Sequence, residues 1–185
     1  MQPIDRKKFF DSYRASFGPL TQPQVDGLEQ LLAFMETDTL LTDLRHVAYE
    51  LATVKRECGD EWHPVKEYSR GKGMKYGVPD SVTGQTYFGR GYVQITWKAN
   101  YAAMGKALSL DLVNNPDLAL VPANAYRIMS YGMRQGAFTG MGLSRYIHGD
   151  VCEYILARKI INGTDRAEMI AGYAEKIEAA LRAAV

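Results

Sequence analysis

The segment Arg56-Glu57-Cys58-Gly59-Asp60-Glu61-Trp62-His63-Pro64-Val65-Lys66-Glu67 gathers Glu57, Asp60, Glu61 and Glu67 into a short stretch of chain. Paired carboxyl groups suit cleavage of a glycosidic bond. One, protonated, gives its proton to the leaving oxygen, and the other activates a water or attacks carbon. Glu57 ends a helical stripe of Leu44, Val47, Ala48, Leu51 and Ala52, spaced as one apolar helix face. It points away from that stripe, on the side of His46, Glu50 and Thr53, and Gly59 supplies a helix stop. A carboxyl in the last helical turn meets the negative end of the helix dipole, and Trp62 nearby can exclude water. Both effects favour the protonated form that a general acid requires. The competing reading is a solvated glutamate on a charged helix face, the commoner outcome on position alone.

Other chemistries find less support. Gly71-Lys72-Gly73 and Gly105-Lys106-Ala107 lack the hydroxyl that ends a phosphate loop, and no Gly-x-Gly-x-x-Gly follows a strand. The Gly-x-Ser-x-Gly elbow of a serine hydrolase is absent. Cys58 and His63 come without an oxyanion hole or an orienting partner, so Cys58 reads as structural. His148 and Cys152, four apart, fall two ligands short of a zinc site. His46 reads as an exposed helix residue. Asn162-Gly163-Thr164 fits a glycosylation sequon by chance, without a secretory route.

The elements that must position these groups follow from periodicity. A helix is expected from Asp5 to Phe17, stopped by Gly18-Pro19. Thr21 caps a second, with Pro23 in its first turn and Val25, Leu28, Leu31, Leu32 and Met35 on one stripe. The third helix carries Glu57. Tyr68 to Gly91 is glycine-rich loop. Behind it, Thr86-Tyr87-Phe88 and Tyr92 to Trp97 read as strands of a hairpin flanking Gly89-Arg90-Gly91. Alternation would put Tyr92, Gln94 and Thr96 on a polar face and Val93, Ile95 and Trp97 on a core face. Helices are expected over Lys98–Leu108, Ala123–Gly136, Arg145–Ile160 and Arg166–Ala184, with a turn at Asn114-Asn115-Pro116-Asp117.

The chain has 185 residues, 46% of them hydrophobic and 23% charged, which suits one catalytic domain over 1–185 with a proper core. A small lobe at about residues 60–97 and a cleft between lobes are expected within it, with no separate binding domain. A net charge of +1 from 22 basic and 21 acidic residues gives no strong field for nucleic acid or an anionic membrane, although Arg70, Lys72 and Lys75 form a local basic patch. No apolar run has the length of a membrane span. The first residues lack the apolar core of a signal peptide. Cytoplasmic synthesis, a monomer, reduced Cys58 and Cys152, and no metal or organic cofactor are therefore expected.

The run Tyr87-Phe88-Gly89-Arg90-Gly91-Tyr92-Val93-Gln94-Ile95-Thr96-Trp97-Lys98-Ala99-Asn100-Tyr101 resembles the signature of glycoside hydrolase family 19. Gly105-Lys106-Ala107-Leu108, Asp111 to Leu118 and Ile160-Ile161-Asn162-Gly163 match it in order, so the resemblance covers roughly residues 43–175. The short form, with Gly71-Lys72-Gly73 and Thr83-Gly84-Gln85 before the hairpin, looks like the family's phage endolysin branch. The resemblance implies a mainly α, lysozyme-like α+β fold. It implies that Glu57 is the acid, with Arg56 and Cys58 where the family has His and Thr. Glu67 matches the base, with Glu61 as the fallback. Thr96 matches a water-holding hydroxyl. Tyr87, Gln94, Asn100 and Asn162 match substrate-binding positions, with local loop bracing as the alternative for Gln94 and Asn100. Arg90 reads as structural. A family arginine near the C-terminal helix has no counterpart, because Met169-Ile170 occupies the region. The implied function is an endolysin that hydrolyses β-1,4 bonds of peptidoglycan with inversion and reaches the periplasmic wall after holin-type release. Its carboxyl groups would stand about 6.5–9.5 Å apart. A chitinase acting on N-acetylglucosamine polymers and an inactive wall-binding module are the alternatives.

Overall fold

Residues 2–185 are described by a computed structural model. Apolar residues three and four apart bury one face of each N-terminal helix. Helix α1 (Arg6–Phe17) buries Phe9, Phe10 and Tyr13, and the Asp5 side chain accepts from the Lys8 N–H at its start. Helix α2 (Gln22–Thr37) begins at Thr21 as expected, where Gln24 Oε1 accepts from the Thr21 N–H at 2.8 Å. It buries Leu28, Leu31, Leu32 and Met35.

Helix α3 (Leu44–Glu57) departs from its expected one-sided burial. Every residue from Val47 to Val54 is buried. Glu50 and Thr53, expected on a solvated polar face, are 0% and 1% exposed. Thr53 Oγ1 donates to the Tyr49 carbonyl at 2.9 Å, which satisfies its hydroxyl inside the helix. His46 is half-buried rather than exposed, its Nε2 lying 2.9 Å from the Ile147 carbonyl.

The helix expected over Arg145–Ile160 is broken. Strands β3 (Ile147–His148) and β4 (Val151–Cys152) pair antiparallel across a tight turn in which Gly149 has φ 47°. A short helix α6 (Tyr154–Ala157) and a 3-10 turn (Arg158–Ile160) follow. A glycine in the left-handed region turns the chain where a helix would continue. His148 and Cys152 therefore share no helix face. Helix α7 (Ala167–Ala184) packs against α1, α3 and α6.

The described residues up to Trp62, with Met133–Val185, form one compact unit, and His63–Gly132 form a second. In the second, β1 (Val65–Lys66) pairs antiparallel with β2 (Arg90–Gly91), and α4 spans Lys98–Leu108 as expected. Helix α5 (Pro122–Gln135) starts one residue earlier than anticipated. The expected strand Tyr92–Trp97 does not form. Gln94 and Trp97 have φ 52° and 74°, values no extended strand accommodates. A single bridge between Arg90 and Ile95 closes the turn instead. The predicted alternation fails with it: Tyr92 is 0% exposed and Trp97 47%.

Neither Cys58 nor Cys152 is joined in a disulfide, and burial pushes the Cys58 thiol up to about 12, which makes it inert. Among the described residues no helix is long and apolar enough to cross a membrane.

Two glycines separate packing from propensity. A Cβ on Gly27 of α2 would stand 2.6 Å from the Trp62 carbonyl oxygen and 2.8 Å from its Cβ, whereas one on Gly172 of α7 meets nothing within 4 Å. Urea unfolding should show Gly27→Ala destabilised by about 1–3 kcal/mol through overpacking. Gly172→Ala should equal or exceed the parent by up to about 1 kcal/mol of helix propensity. An unaffected Gly27→Ala would contradict the contact between α2 and Trp62.

Candidate active site

Glu57 is the last residue of α3, with Cys58 as its C-cap. Its Oε1 accepts from Arg158 Nη1 at 2.9 Å. The Arg158 side chain is 3% exposed and that of Glu57 20%. Arg158 Nε donates to the Asp165 carbonyl at 2.9 Å, so the guanidinium joins the end of α3 to the loop before α7. A buried guanidinium needs acceptors for its N–H groups, and Glu57 Oε1 supplies one of them. No partner within the protein occupies Glu57 Oε2 among the described residues. Trp62, expected to dry the site, makes its ring contacts with Tyr13 at 6.1 Å and with the Lys55 ammonium at 5.9 Å. The neighbour recorded for the Glu57 carboxylate is the cation Arg158.

In the second unit Glu67 follows β1. Its N–H donates to the Gly89 carbonyl at 2.8 Å, and the Gly89 N–H returns a bond to Glu67 Oε2 at 3.1 Å. The Ser69 hydroxyl donates to Oε1, and the Tyr76 hydroxyl donates to the same oxygen at 3.3 Å. Burial pushes the carboxyl up. The bonds from Ser69, the Gly89 N–H, Tyr76 and the Gly71 N–H outweigh it and hold the group below the usual carboxylate range. Hydrogen bonds to the charged form favour that form, so Glu67 is a fixed carboxylate. A Cβ at Gly89 would stand 2.8 Å from Gln94 Oε1 and 3.4 Å from Glu67 Cβ, so the Gln94 amide would have to shift to admit one.

The remaining residues singled out by sequence divide between bracing and exposure. Gln94 Nε2 donates to the Val65 and Gly91 carbonyls at 2.9 and 3.0 Å, which ties β1 to the turn after β2. That is the bracing alternative. Asn100 is exposed, and its Nδ2 donates to the Thr96 carbonyl at 2.8 Å. The Thr96 hydroxyl is half-buried and donates to the Gln94 carbonyl at 2.8 Å, keeping its lone pairs for another donor. Asn162 is exposed in the loop before α7. Tyr87 was expected to line a sugar groove and is instead interior. It is 3% exposed, its hydroxyl donates to the Val113 carbonyl at 2.9 Å, and its ring packs edge-on against Tyr101. Glu61 is exposed at the end of the first unit.

Arg90 is structural, as expected. It is 4% exposed and donates to Asp117 at 2.7 Å, to the Thr86 and Phe88 carbonyls at 3.0 and 3.2 Å, and to the Tyr101 hydroxyl at 3.1 Å.

Two features escaped the sequence reading. Arg158 was missed because it lies in the turn before α7, about a hundred residues from Glu57 in sequence. Its apolar surroundings, Tyr154 to Ala157, were the available signal. Trp97, assigned to the core face of a strand, is exposed with Tyr76 edge-on at 5.1 Å. Among the described residues no group of three or more His, Cys, Asp or Glu is placed to hold a metal ion.

Residues 64–131 match the chitinase class I model of glycoside hydrolase family 19. Over 104 residues, 49% of this chain and 33% of the relative, the sequence is 35% identical to the basic endochitinase of Vitis vinifera. Over 35 residues, 19% of this chain and 11% of the relative, it is 57% identical to inactive chitinase-like protein 1 of Hevea brasiliensis. The chain thus spans a third or less of these curated relatives. The crystal structure of a bacterial family 19 chitinase superposes with a TM-score of 0.58 at 21% identity, covering 96% of this chain and 94% of that one. That likeness shows the fold, a mostly helical one with small antiparallel sheets. The family match is confined to residues 64–131, and the structural likeness extends the fold over nearly the whole chain.

The Glu67 carboxylate can be tested directly. Ser69→Ala removes a donor to the charged form, so the Glu67 carboxyl should titrate at higher pH in carbon-13 NMR than in the parent. A folded-state value held low contributes stability above the unfolded value, lost as pH falls through the folded one. The variant should therefore lose less stability than the parent across that acid window. An unmoved titration would mean that Ser69 does not hold the carboxylate.

Proposed function

We propose that this chain is a glycoside hydrolase that cuts β-1,4 bonds in the glycan strand of bacterial peptidoglycan, by acid and base catalysis with inversion. The observation that carries this reading is the state of Glu67, kept ionised by hydroxyl and backbone donors beside the aromatic pair Tyr76 and Trp97. A fixed carboxylate is what a general base must be, and an exposed indole is a surface on which a sugar ring can stack.

In the proposed reaction Glu57 gives its proton to the glycosidic oxygen as the C1–O bond breaks. Glu67 takes a proton from water, and the oxygen of that water bonds C1 from the opposite face. The Thr96 hydroxyl accepts a hydrogen bond from the same water. Arg158 faces the carboxylate left on Glu57 once its proton has gone. Asn100 and Asn162, both exposed, contact the sugar amides and hydroxyls. No metal or organic cofactor takes part. The glycan strand is the partner, and the enzyme works as a monomer made in the cytoplasm that reaches the wall through a lesion opened by a holin. The compact Gly71-Lys72-Gly73 and Thr83-Gly84-Gln85 segments support the endolysin branch.

The second reading, a chitinase acting on N-acetylglucosamine polymers, draws on the plant relative being an endochitinase. The third, a module that binds walls without cutting them, draws on the relative described as inactive.

Glu57→Gln should lower wall lysis, followed by turbidity, by about 10²–10⁴-fold, the usual contribution of a positioned acid, with an unchanged circular dichroism spectrum. Retained lysis would remove Glu57 from the acid role. Mass spectrometry of digested walls should show new reducing ends without anhydro sugars, and NMR should show the inverted anomer first. Faster release from chitin than from walls would favour the chitinase reading. Wall pull-down without new ends would favour the inactive one.

A further inference from the structure

Next to Glu57, and wholly within the first unit, lies an open cavity of about 280 Å³ lined by Lys55, Arg56, Gly59, Asp60, Arg166, Met169 and Tyr173. Its charges do not balance. Lys55 donates to Asp60, which cancels that pair. Arg56 and Arg166 make no ion pair and no side-chain hydrogen bond within the protein among the described residues, and Arg56 Nε is withdrawn from solvent with no acceptor. Guanidinium groups are built to grip oxyanions in a two-point fork. A desolvated donor left without an acceptor is a cost the fold carries with nothing in the protein to offset it.

The two arginines are also tied to the proposed acid. Arg56 precedes Glu57 in the chain, and Arg166 follows Asp165, whose carbonyl accepts from the same Arg158 that holds Glu57. An anion seated between them would lie beside the end of α3. Met169 and Tyr173 add apolar atoms to the lining. Two cations in a lining that also holds Met169 and Tyr173 suit a small organic acid with a hydrocarbon stem better than a bare inorganic anion.

We propose that this cavity is a subsite for a carboxylate carried on the peptide substituent of the wall glycan. The inference rests on the peptidoglycan reading above and sharpens it. A homopolymer of N-acetylglucosamine is uncharged and offers nothing to Arg56 and Arg166. A muramyl peptide brings a carboxylate next to the sugar. The subsite thus gives the chain a reason to prefer a peptide-bearing strand.

The test is a binding measurement that needs no turnover. The full chain is titrated by NMR with N-acetylmuramyl-L-alanyl-D-isoglutamine, with its methylamide lacking the carboxylate, and with inorganic phosphate. The acid should shift the amides of Gly59, Asp60 and Arg166 to Met169. It should bind about tenfold or more tightly than the methylamide, as expected for charge-assisted bonds, and weaken as salt rises. Arg166→Gln should abolish that preference, and Arg56→Gln should do so independently. Neither side chain bonds to the rest of the protein, so both variants should fold.

Equal binding of acid and methylamide overturns the proposal. So do shifts elsewhere, no shift at millimolar probe, or a preference unchanged in both variants. Phosphate binding as tightly as the acid at these residues overturns the carboxylate assignment. Lysis by the parent chain reports separately on the hydrolase reading. Lysis without acid preference sinks the subsite alone, and acid preference without lysis sinks the hydrolase reading.

Discussion

Burial of α3 on every side constrains everything else in the first unit. With Val47 to Val54 all out of water, the helix can present charge to solvent or substrate only near its ends. At the start, Asp43 caps the helix and pairs with Arg45 at 2.6 Å. At the far end, Glu57 pairs with Arg158. A carboxylate at a helix C-terminus lies against the dipole, and a guanidinium whose other bond goes to the loop before α7 offsets that conflict. The position of Glu57 is thus held from two directions, by a core helix it terminates and by an arginine it did not seem from sequence to have. Tyr154, four residues before Arg158, stacks on Tyr49 of α3 with ring centroids 5.7 Å apart, which fixes the approach of that turn.

The second unit solves a different problem with a different arginine. It has almost no regular strand, so its loops need an internal organiser. Arg90 fills that role, binding the Thr86 and Phe88 carbonyls, Asp117 and the Tyr101 hydroxyl while its guanidinium lies 3.7 Å from the centre of the Phe88 ring. Lys66 of β1 reaches the same Asp117 at 2.7 Å. The two-residue ladder of β1 and β2 is therefore clamped through side chains. Glu67 sits one residue past that clamp, and its orientation is a by-product of the clamp's rigidity. Gln94, whose amide ties Val65 to Gly91, completes the frame. A matched motif residue can thus act on the site without touching a substrate.

Most of the helical frame was legible because a 3.6-residue period survives whatever packs around it. Thr21, Asp5 and the span Lys98–Leu108 came through on capping and periodicity alone. Three readings failed for separate physical reasons. The polar side of α3 reads as solvent-facing by its residue types, but Glu50 and Thr53 are interior, and no local pattern says that a polar face is covered. Tyr92 to Trp97 is rich in strand-forming residues, yet Gln94 and Trp97 adopt left-handed backbone that propensity assigns to glycine or asparagine. The turn then exposes Trp97 and buries Tyr92, reversing the expected faces. The break of Arg145–Ile160 falls at Gly149, a turn-forming residue inside the span expected as helix. Glu57 and Glu67 were reached by resemblance more than by physics, since position alone left Glu57 an ordinary surface glutamate. Arg158 lies about a hundred residues from Glu57 in sequence, a separation over which no pattern in a single chain speaks.

The segment Arg56-Glu57-Cys58 differs on both flanks from the motif of the family it resembles, and the structure gives the two differences separate meanings. Cys58 is 4% exposed with its thiol pushed up by burial. It behaves as a small apolar residue capping a core helix, a substitution that packing alone accounts for. Arg56 has no such account. It supports no neighbour, and its Nε is dry and unbonded. Buried donors in folded proteins are nearly always satisfied, and Arg56 Nε is one that the protein leaves without an acceptor. Arg166 lines the same cavity. The cost of holding two unpaired cations together falls when an oxyanion sits between them. The same helix end would then set both where the bond is cut and which strand is accepted.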